Sequence, residues 1–151
     1  MAIEIPRRGS RGARIPKLPA PVQKLGLRFY EWVMRRRQVP MAHLTTIGAR
    51  SGEPRAVPLR PFPDGPDSWL VIASYGGAAR NPAWLHNLAA HPDKIELRVN
   101  GVTYPVRAET LTGQDYTDTW QRIVAEQPQF AAYQSQTDRQ IPVVRLTRVN
   151  P

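Results

Sequence analysis

The chain of 151 residues contains no cysteine. That absence removes disulfide frameworks, thiolate metal sites and thiol nucleophiles, and it points to a reducing, cytoplasmic setting. Histidine is nearly as scarce. His43, His86 and His91 are too scattered for a histidine metal motif, so no metal site is expected. No apolar run approaches the roughly 18 residues that a membrane-spanning helix needs. A Gly-x-Ser-x-Gly elbow and a P-loop lysine are both missing, which removes two common routes to hydrolytic and phosphoryl chemistry. The twin arginine of "PRRGSRGAR" has no apolar segment behind it, which argues against export.

Acidic residues are the other shortage, 12 against 21 basic for a net charge of +9. The imbalance is local. Ten of the basic residues, but only Glu4 and Glu31 among the acidic ones, precede Gln38, so +8 of the charge sits in the first 37 residues. The remainder is nearly neutral, and a basic, partner-seeking surface is confined to the N-terminal part. Residues 1–20, rich in Arg, Gly and Pro, read as a flexible basic arm. Residues 21–151 read as one folded domain of ordinary size that opens on an amphipathic helix. In that helix, "APVQKLGLRFYEWVMRRRQ", Val22, Leu25, Phe29, Trp32 and Val33 recur at helical spacing, with Lys24, Arg28, Arg35 and Arg36 opposite. Such a helix either docks its apolar side on the core or rests on an anionic lipid surface.

Short segments rich in β-branched and aromatic residues follow: "AHLTTI", "RAVPLRPF", "SWLVIA", "KIELRV", "TYPVRAET" and "IPVVRLT". The break "PDGPD" marks a hairpin loop, and Pro58, Pro105 and Pro142 belong at edges or bulges because proline cannot donate to a ladder. Close spacing of short strands favours an antiparallel barrel or sandwich. Two more helices interrupt the strands. One is expected to start with Asn81 as N-cap and Pro82 in its first turn, the other with Thr112 and Asp115 spaced as a capping box.

Two stretches carry chemistry. "TTIGARSGEPRAVPL" crowds Thr45, Thr46, Arg50, Ser51 and Arg55 into one turn and its flanks, more hydroxyls and guanidiniums than a turn requires. "ASYGGAARNPAWLHN" adds Gly76 and Gly77, which let a ligand approach the backbone closely, and Arg80. Guanidinium forks suit phosphate and carboxylate oxygens, so the two stretches together form a plausible anion cradle. With no catalytic constellation of its own, the chain, if an enzyme, would orient a cofactor that supplies the reactivity.

These stretches, with "YQSQTDRQIPVVRL", resemble in order and spacing the deazaflavin-dependent nitroreductase family of actinobacteria, whose corresponding blocks read "TTxGRKSGxPR", "ASxGGxxxNPxWxxNLxAxP" and "YQxxTDRxIPV". The resemblance runs from about residue 42 to 147. It implies an α+β fold, an antiparallel split β-barrel of the FMN-binding type with flanking helices, and an F420-binding role. Coenzyme F420 is a deazaflavin with a phosphodiester and an oligoglutamate tail. The implied cofactor site comprises Thr45, Thr46, Arg50, Ser51, Arg55, Ala73, Ser74, Tyr75, Gly76, Gly77, Ala78, Ala79, Arg80, Trp84 and Asn87, with Arg50 where the family carries Lys. The implied reaction is hydride transfer from reduced F420 to a flat conjugated acceptor, a quinone or a nitroaromatic, with Ser74 and Tyr133 as catalytic groups. Gln127, Phe130 and Tyr133 are the implied substrate-pocket residues. Gln127 and Phe130 stand where nitroimidazole-activating relatives carry tyrosines, which counts against that substrate.

Two other readings remain. A non-catalytic F420 carrier would bind without turnover. A nucleic-acid-binding protein would use the basic arm, but that arm lacks the aromatic residues with which single-strand binders interleave their charge. A quinone acceptor together with the basic arm and helix implies peripheral contact with the inner face of an anionic membrane.

Overall fold

The computed structural model describes residues 2–150. Among these residues four α-helices, α1 (Ala20–Arg36), α2 (Ala83–Ala90), α3 (Gly113–Glu126) and α4 (Gln129–Gln136), flank seven strands. The strands are β1 (Ala42–Ile47), β2 (Pro54–Leu59), β3 (Phe62–Pro63), β4 (Ser68–Ile72), β5 (Glu96–Val99), β6 (Val102–Thr110) and β7 (Val143–Arg148). These strands pair antiparallel throughout, in the order β2-β1-β5-β6-β7-β4-β3.

That order dictates curvature. β2 and β3 are the two edges, yet only Arg60 and Pro61 separate them in the chain. Flat, the edges would stand about 29 Å apart, six spacings of about 4.8 Å, whereas three peptide steps span about 11 Å. The sheet must therefore roll into a barrel. β6 serves both halves, pairing with β5 through Val102 to Pro105 and with β7 from Val106 onward. The change of partner falls at Pro105, whose missing N–H costs no ladder bond there. Pro58 lies in the edge strand β2, and "PDGPD" closes the β3–β4 hairpin through Asp64 N–H to Ser68 O at 2.9 Å.

Alternation in β4 and β7 feeds two cores. Val71, Val144 and Leu146 join Leu44, Leu97, Trp84, Leu85 and Leu88, which seats α2. Leu70, Ile72 and Val143 face the opposite way, to Ile123, Phe130 and Ile141, which seats α3 and α4. These two strands are buried on both sides, which is why "SWLVIA" and "IPVVRL" read as nearly continuous apolar runs.

The helix starts differ from expectation. α2 begins at Ala83 with Pro82 as its N-cap. The Asn81 side chain is occupied elsewhere: Nδ2 donates to Pro6 O at 2.8 Å and Oδ1 accepts from Arg139 at 3.2 Å. Thr112 is the N-cap of α3 but makes no side-chain capping bond, and the Asp115 side chain goes to Arg145 instead of reaching back to it. Arg145 also holds Asp64 at 2.7 Å and Glu109 at 3.4 Å, joining the hairpin loop, β6 and α3. Desolvation opposes its charge, but the bonds to Asp64 and Asp115 outweigh that and raise its pKa. α4 is a helix beyond those expected from the sequence, and it follows α3 across Gln127 and Pro128.

The N-terminal segment read as an arm runs along the body. Gly9 N–H donates to Ala79 O at 2.8 Å and Ala13 N–H to Gly77 O at 2.9 Å, while Asp138 accepts from the Ser10 hydroxyl and from the Ser10 and Arg11 amides. Gly12 approaches Ala79 so closely that a Cβ would collide with its backbone. No residue of α1 is buried, by contrast; Leu25, Phe29 and Trp32 are 69%, 64% and 52% exposed. The barrel leaves most of the helix's apolar side uncovered, with Val33 alone half-buried among Val22, Leu25, Phe29, Trp32 and Val33.

Candidate cofactor groove

A groove of about 1170 Å³ opens between the β1–β2 turn, α2 and the segment after β4. Its wall is apolar, from Val57, Leu59, Ile72 and Trp84, and its polar side carries Arg50, Arg55 and Arg80. Among the described residues no aspartate or glutamate lines it. A concave apolar slot with three guanidiniums and no carboxylate favours a flat ligand bearing several negative charges.

Local sequence explains the rim. Gly52 has φ +70°, and Gly48 and Gly52 are joined by an N–H to carbonyl bond of 2.9 Å, so the β1–β2 turn is tight and projects Arg50 and Ser51. Arg55, the second residue of β2, stands opposite Thr46, with Glu53 only a loose 3.8 Å partner. Asn87 ties this turn to the body from α2. Its Oδ1 accepts from Ala49 N–H at 2.9 Å and its Nδ2 donates to Thr46 Oγ1 at 3.0 Å. Across the groove, Arg80 lies over the Tyr75 ring at 5.3 Å and donates to its hydroxyl at 3.0 Å. Tyr75, Gly76 and Gly77 take φ of 45°, 62° and 84°, three consecutive left-handed residues of which the tyrosine is the strained one.

Of the residues expected at the cofactor, Thr46, Arg50, Ser51, Arg55, Ser74, Tyr75, Gly76, Arg80, Trp84 and Asn87 line this groove. Five do not. Thr45 alternates to the other side of β1, in a shallow depression with His43, Glu96 and Arg98. Ala73 is fully buried in the core, and Ala78 is buried behind the loop. Gly77 backs onto α4, where an added Cβ would stand 2.7 Å from Tyr133 O, and Ala79 receives the N-terminal segment. The expected substrate-pocket residues also fall outside the lining. Phe130 is a core residue, edge-on to Phe62 at 5.9 Å and to Tyr133 at 5.8 Å, because α4 turns its apolar side inward. Gln127 caps the end of α3, its N–H donating to Ile123 O at 2.8 Å. Sequence reasoning also missed Ile15, His86 and Asn81, which do line the groove, and the buried Arg139 behind it. Arg139 stands in the "TDR" of the third resembling block, the one signal that could have drawn attention to it.

The family model described as F420H(2)-dependent quinone reductase matches residues 29–148. The chain belongs to that family. An F420H(2)-dependent quinone reductase of Mycobacterium tuberculosis is 42% identical over 113 residues, covering 72% of this chain and 74% of that protein. The solved structure of an F420-H2 dependent reductase, FDR-A, superposes with a TM-score of 0.63 at 33% identity, covering 71% of this chain and 93% of its own. A second solved structure, described only as a domain-swapped dimer, gives a TM-score of 0.63 at 28% identity over 84% of this chain and 99% of its own. The fold is thus the split barrel of the F420-dependent reductases. As a member of the family the protein is an oxidoreductase with coenzyme F420 as its cofactor. The groove fits that cofactor, since a phosphodiester and glutamates need cations without competing carboxylates.

Proposed function

We propose that the groove holds reduced F420 and that the protein passes a hydride to a quinone. The single observation behind this placement is the groove's three guanidiniums without a carboxylate. Arg50, Arg55 and the Ser51 hydroxyl bind the anionic tail, while Trp84, Val57 and Leu59 shield the flat ring from water. F420 supplies the hydride chemistry. Ser74, on the groove with a hydroxyl that does not cap the turn after it, donates a hydrogen bond to the acceptor oxygen. Tyr133 packs behind the loop against Phe130, so its contribution is to hold the wall.

Two measurements test this. Deazaflavin fluorescence is titrated against protein with FMN as competitor, where tight F420 binding that FMN fails to displace is expected. F420H2 oxidation is then followed with a panel of quinones and nitroaromatics, where turnover with quinones is expected. Binding without turnover would make the protein a carrier instead, and displacement by FMN at equal concentration would reject the cofactor assignment.

A second element of the proposal is peripheral contact with an anionic membrane. It is favoured by the uncovered apolar side of α1 flanked by Lys24, Arg28, Arg35 and Arg36. Among the described residues no helix is long and apolar enough to cross a bilayer.

A further inference from the structure

Arg139, between α4 and β7, is 3% exposed, and no carboxylate pairs with it among the described residues. Burying a cation without a counter-ion is costly unless its donors are met by well-placed acceptors. All of its acceptors come from one stretch. Nε donates to Ala78 O at 2.9 Å, Nη1 to Ala73 O and to Asn81 Oδ1 at 3.2 Å each, and Nη2 to Ser74 O at 2.8 Å. These acceptors flank the left-handed turn Tyr75–Gly77 on both sides. A strained residue such as Tyr75 persists only where its surroundings over-determine it, and a planar fork with five N–H groups can grip both sides of a turn where an ammonium cannot. Arg139 is itself fixed from α4. Gln134 Nε2 donates to Arg139 O at 2.7 Å and Gln134 Oε1 accepts from Ile141 N–H at 2.9 Å.

The groove face of the same turn presents Ser74, Tyr75 and Gly76, with Arg80 held by Tyr75. We infer that Arg139 is the positioning residue of the site: it buckles the Ala73–Asn81 loop into the shape that presents Ser74 and Arg80, and its unpaired charge adds to the attraction of the groove for an anionic cofactor. This rests on the F420 reading for the identity of the ligand, though not for the shape of the loop. Desolvation also lowers the arginine's pKa, in keeping with a buried cation that lacks a carboxylate.

The test compares wild type with Arg139→Lys and Asn81→Ala. Without cofactor, amide hydrogen exchange across residues 73–80 should quicken about tenfold in Arg139→Lys and by less in Asn81→Ala, with exchange in β1 and β5 unchanged. F420 titration should show Kd raised about tenfold or more in Arg139→Lys, and F420H2 oxidation should lose kcat more than a simple loss of folded protein explains. Wild-type loop exchange in a folded Arg139→Lys protein would overturn the inference. Should that variant fail to fold, unchanged loop exchange in Asn81→Ala would overturn it equally. Failure of wild type to bind F420 in the same titration would reject the cofactor assignment instead, leaving the exchange result to decide the role of Arg139.

Discussion

Arg55 shows what one exposed guanidinium contributes. Its side chain is 60% exposed and Glu53 is a distant partner, so the fold barely depends on it. Arg55→Ala should leave thermal unfolding unchanged and weaken F420 binding about tenfold, the lower end for a charge-assisted contact because water screens it. Fluorescence titration at two salt concentrations checks this, and the mutant should also lose part of the salt dependence. Tyr116 is the opposite case, a group that matters to stability and not to binding. Its hydroxyl donates to Ile141 O at 2.6 Å, and burial pushes its pKa up to about 12 against an opposing pull from Arg139. A raised value means that the neutral phenol is favoured in the folded state. Its stabilisation is therefore complete below the ordinary tyrosine pKa of about 10 and declines as the pH climbs toward about 12. Tyr116→Phe should lose about 1 kcal/mol near neutrality and should show a flatter fall in stability between those two pH values. Denaturant unfolding across that range would reveal it, and an identical pH profile in the mutant would count against the burial argument.

At the scale of elements, α4 changes the meaning of a substitution that sequence alone would recommend. On pattern alone, tyrosines at 127 and 130 restore a nitroimidazole pocket, yet Phe130 is buried between Phe62 and Tyr133. Phe130→Tyr would place a hydroxyl in that core. The expected cost is about 1–3 kcal/mol, with a lower Tm and no gain in nitroimidazole turnover. A raised turnover with an unchanged Tm would mean that α4 presents this residue to the groove after all. The loop Ala73–Asn81 is held from three directions, by Arg139, by the backbone of α4 at Gly77 and by the N-terminal segment at Gly77 and Ala79. Elements that share no sequence neighbourhood thus set the shape of a single wall.

For the whole molecule, charge and apolar exposure coincide. Most of the positive charge precedes Gln38, and helix α1 there leaves Leu25, Phe29 and Trp32 in solvent. Each basic residue near an anionic surface adds on the order of 1 kcal/mol of attraction. Co-sedimentation should therefore show binding to anionic but not neutral vesicles, falling as salt is raised and falling when Leu25, Phe29 and Trp32 are replaced together by serine. Equal recovery in the supernatant for both vesicle types at low salt would sink the membrane contact and leave the F420 assignment untouched. Because residues 9–13 also brace the groove wall, the serine variant is a cleaner test than removal of the arm.

Most of the strands, the hairpin at "PDGPD" and the position of the charge were decided by local sequence, since alternation, turn chemistry and composition act over a few residues, whereas "RAVPLRPF", read as one segment, divides at Arg60 and Pro61 into the two edge strands β2 and β3. Equally local is the crowding of guanidiniums and a hydroxyl at the β1–β2 turn, where Arg50, Ser51 and Arg55 stand within six positions of one another. What local pattern could not decide is which side of an element meets which neighbour. Thr45 and Thr46 look equivalent in sequence, and only the pairing of β1 with β2 and β5 turns one outward and the other to the groove. Phe130 reads equally well as pocket or core until α4 is set against β3 and α3. Arg139 and the Ala73–Asn81 loop are joined only when β4 and β7 pair, with Val71 opposite Val144 and Ile72 opposite Val143. The chain's chemistry was written in adjacent residues, but the shape of the groove depends on long-range pairing, because a buried hydrogen bond requires a partner that only the closed barrel brings within reach.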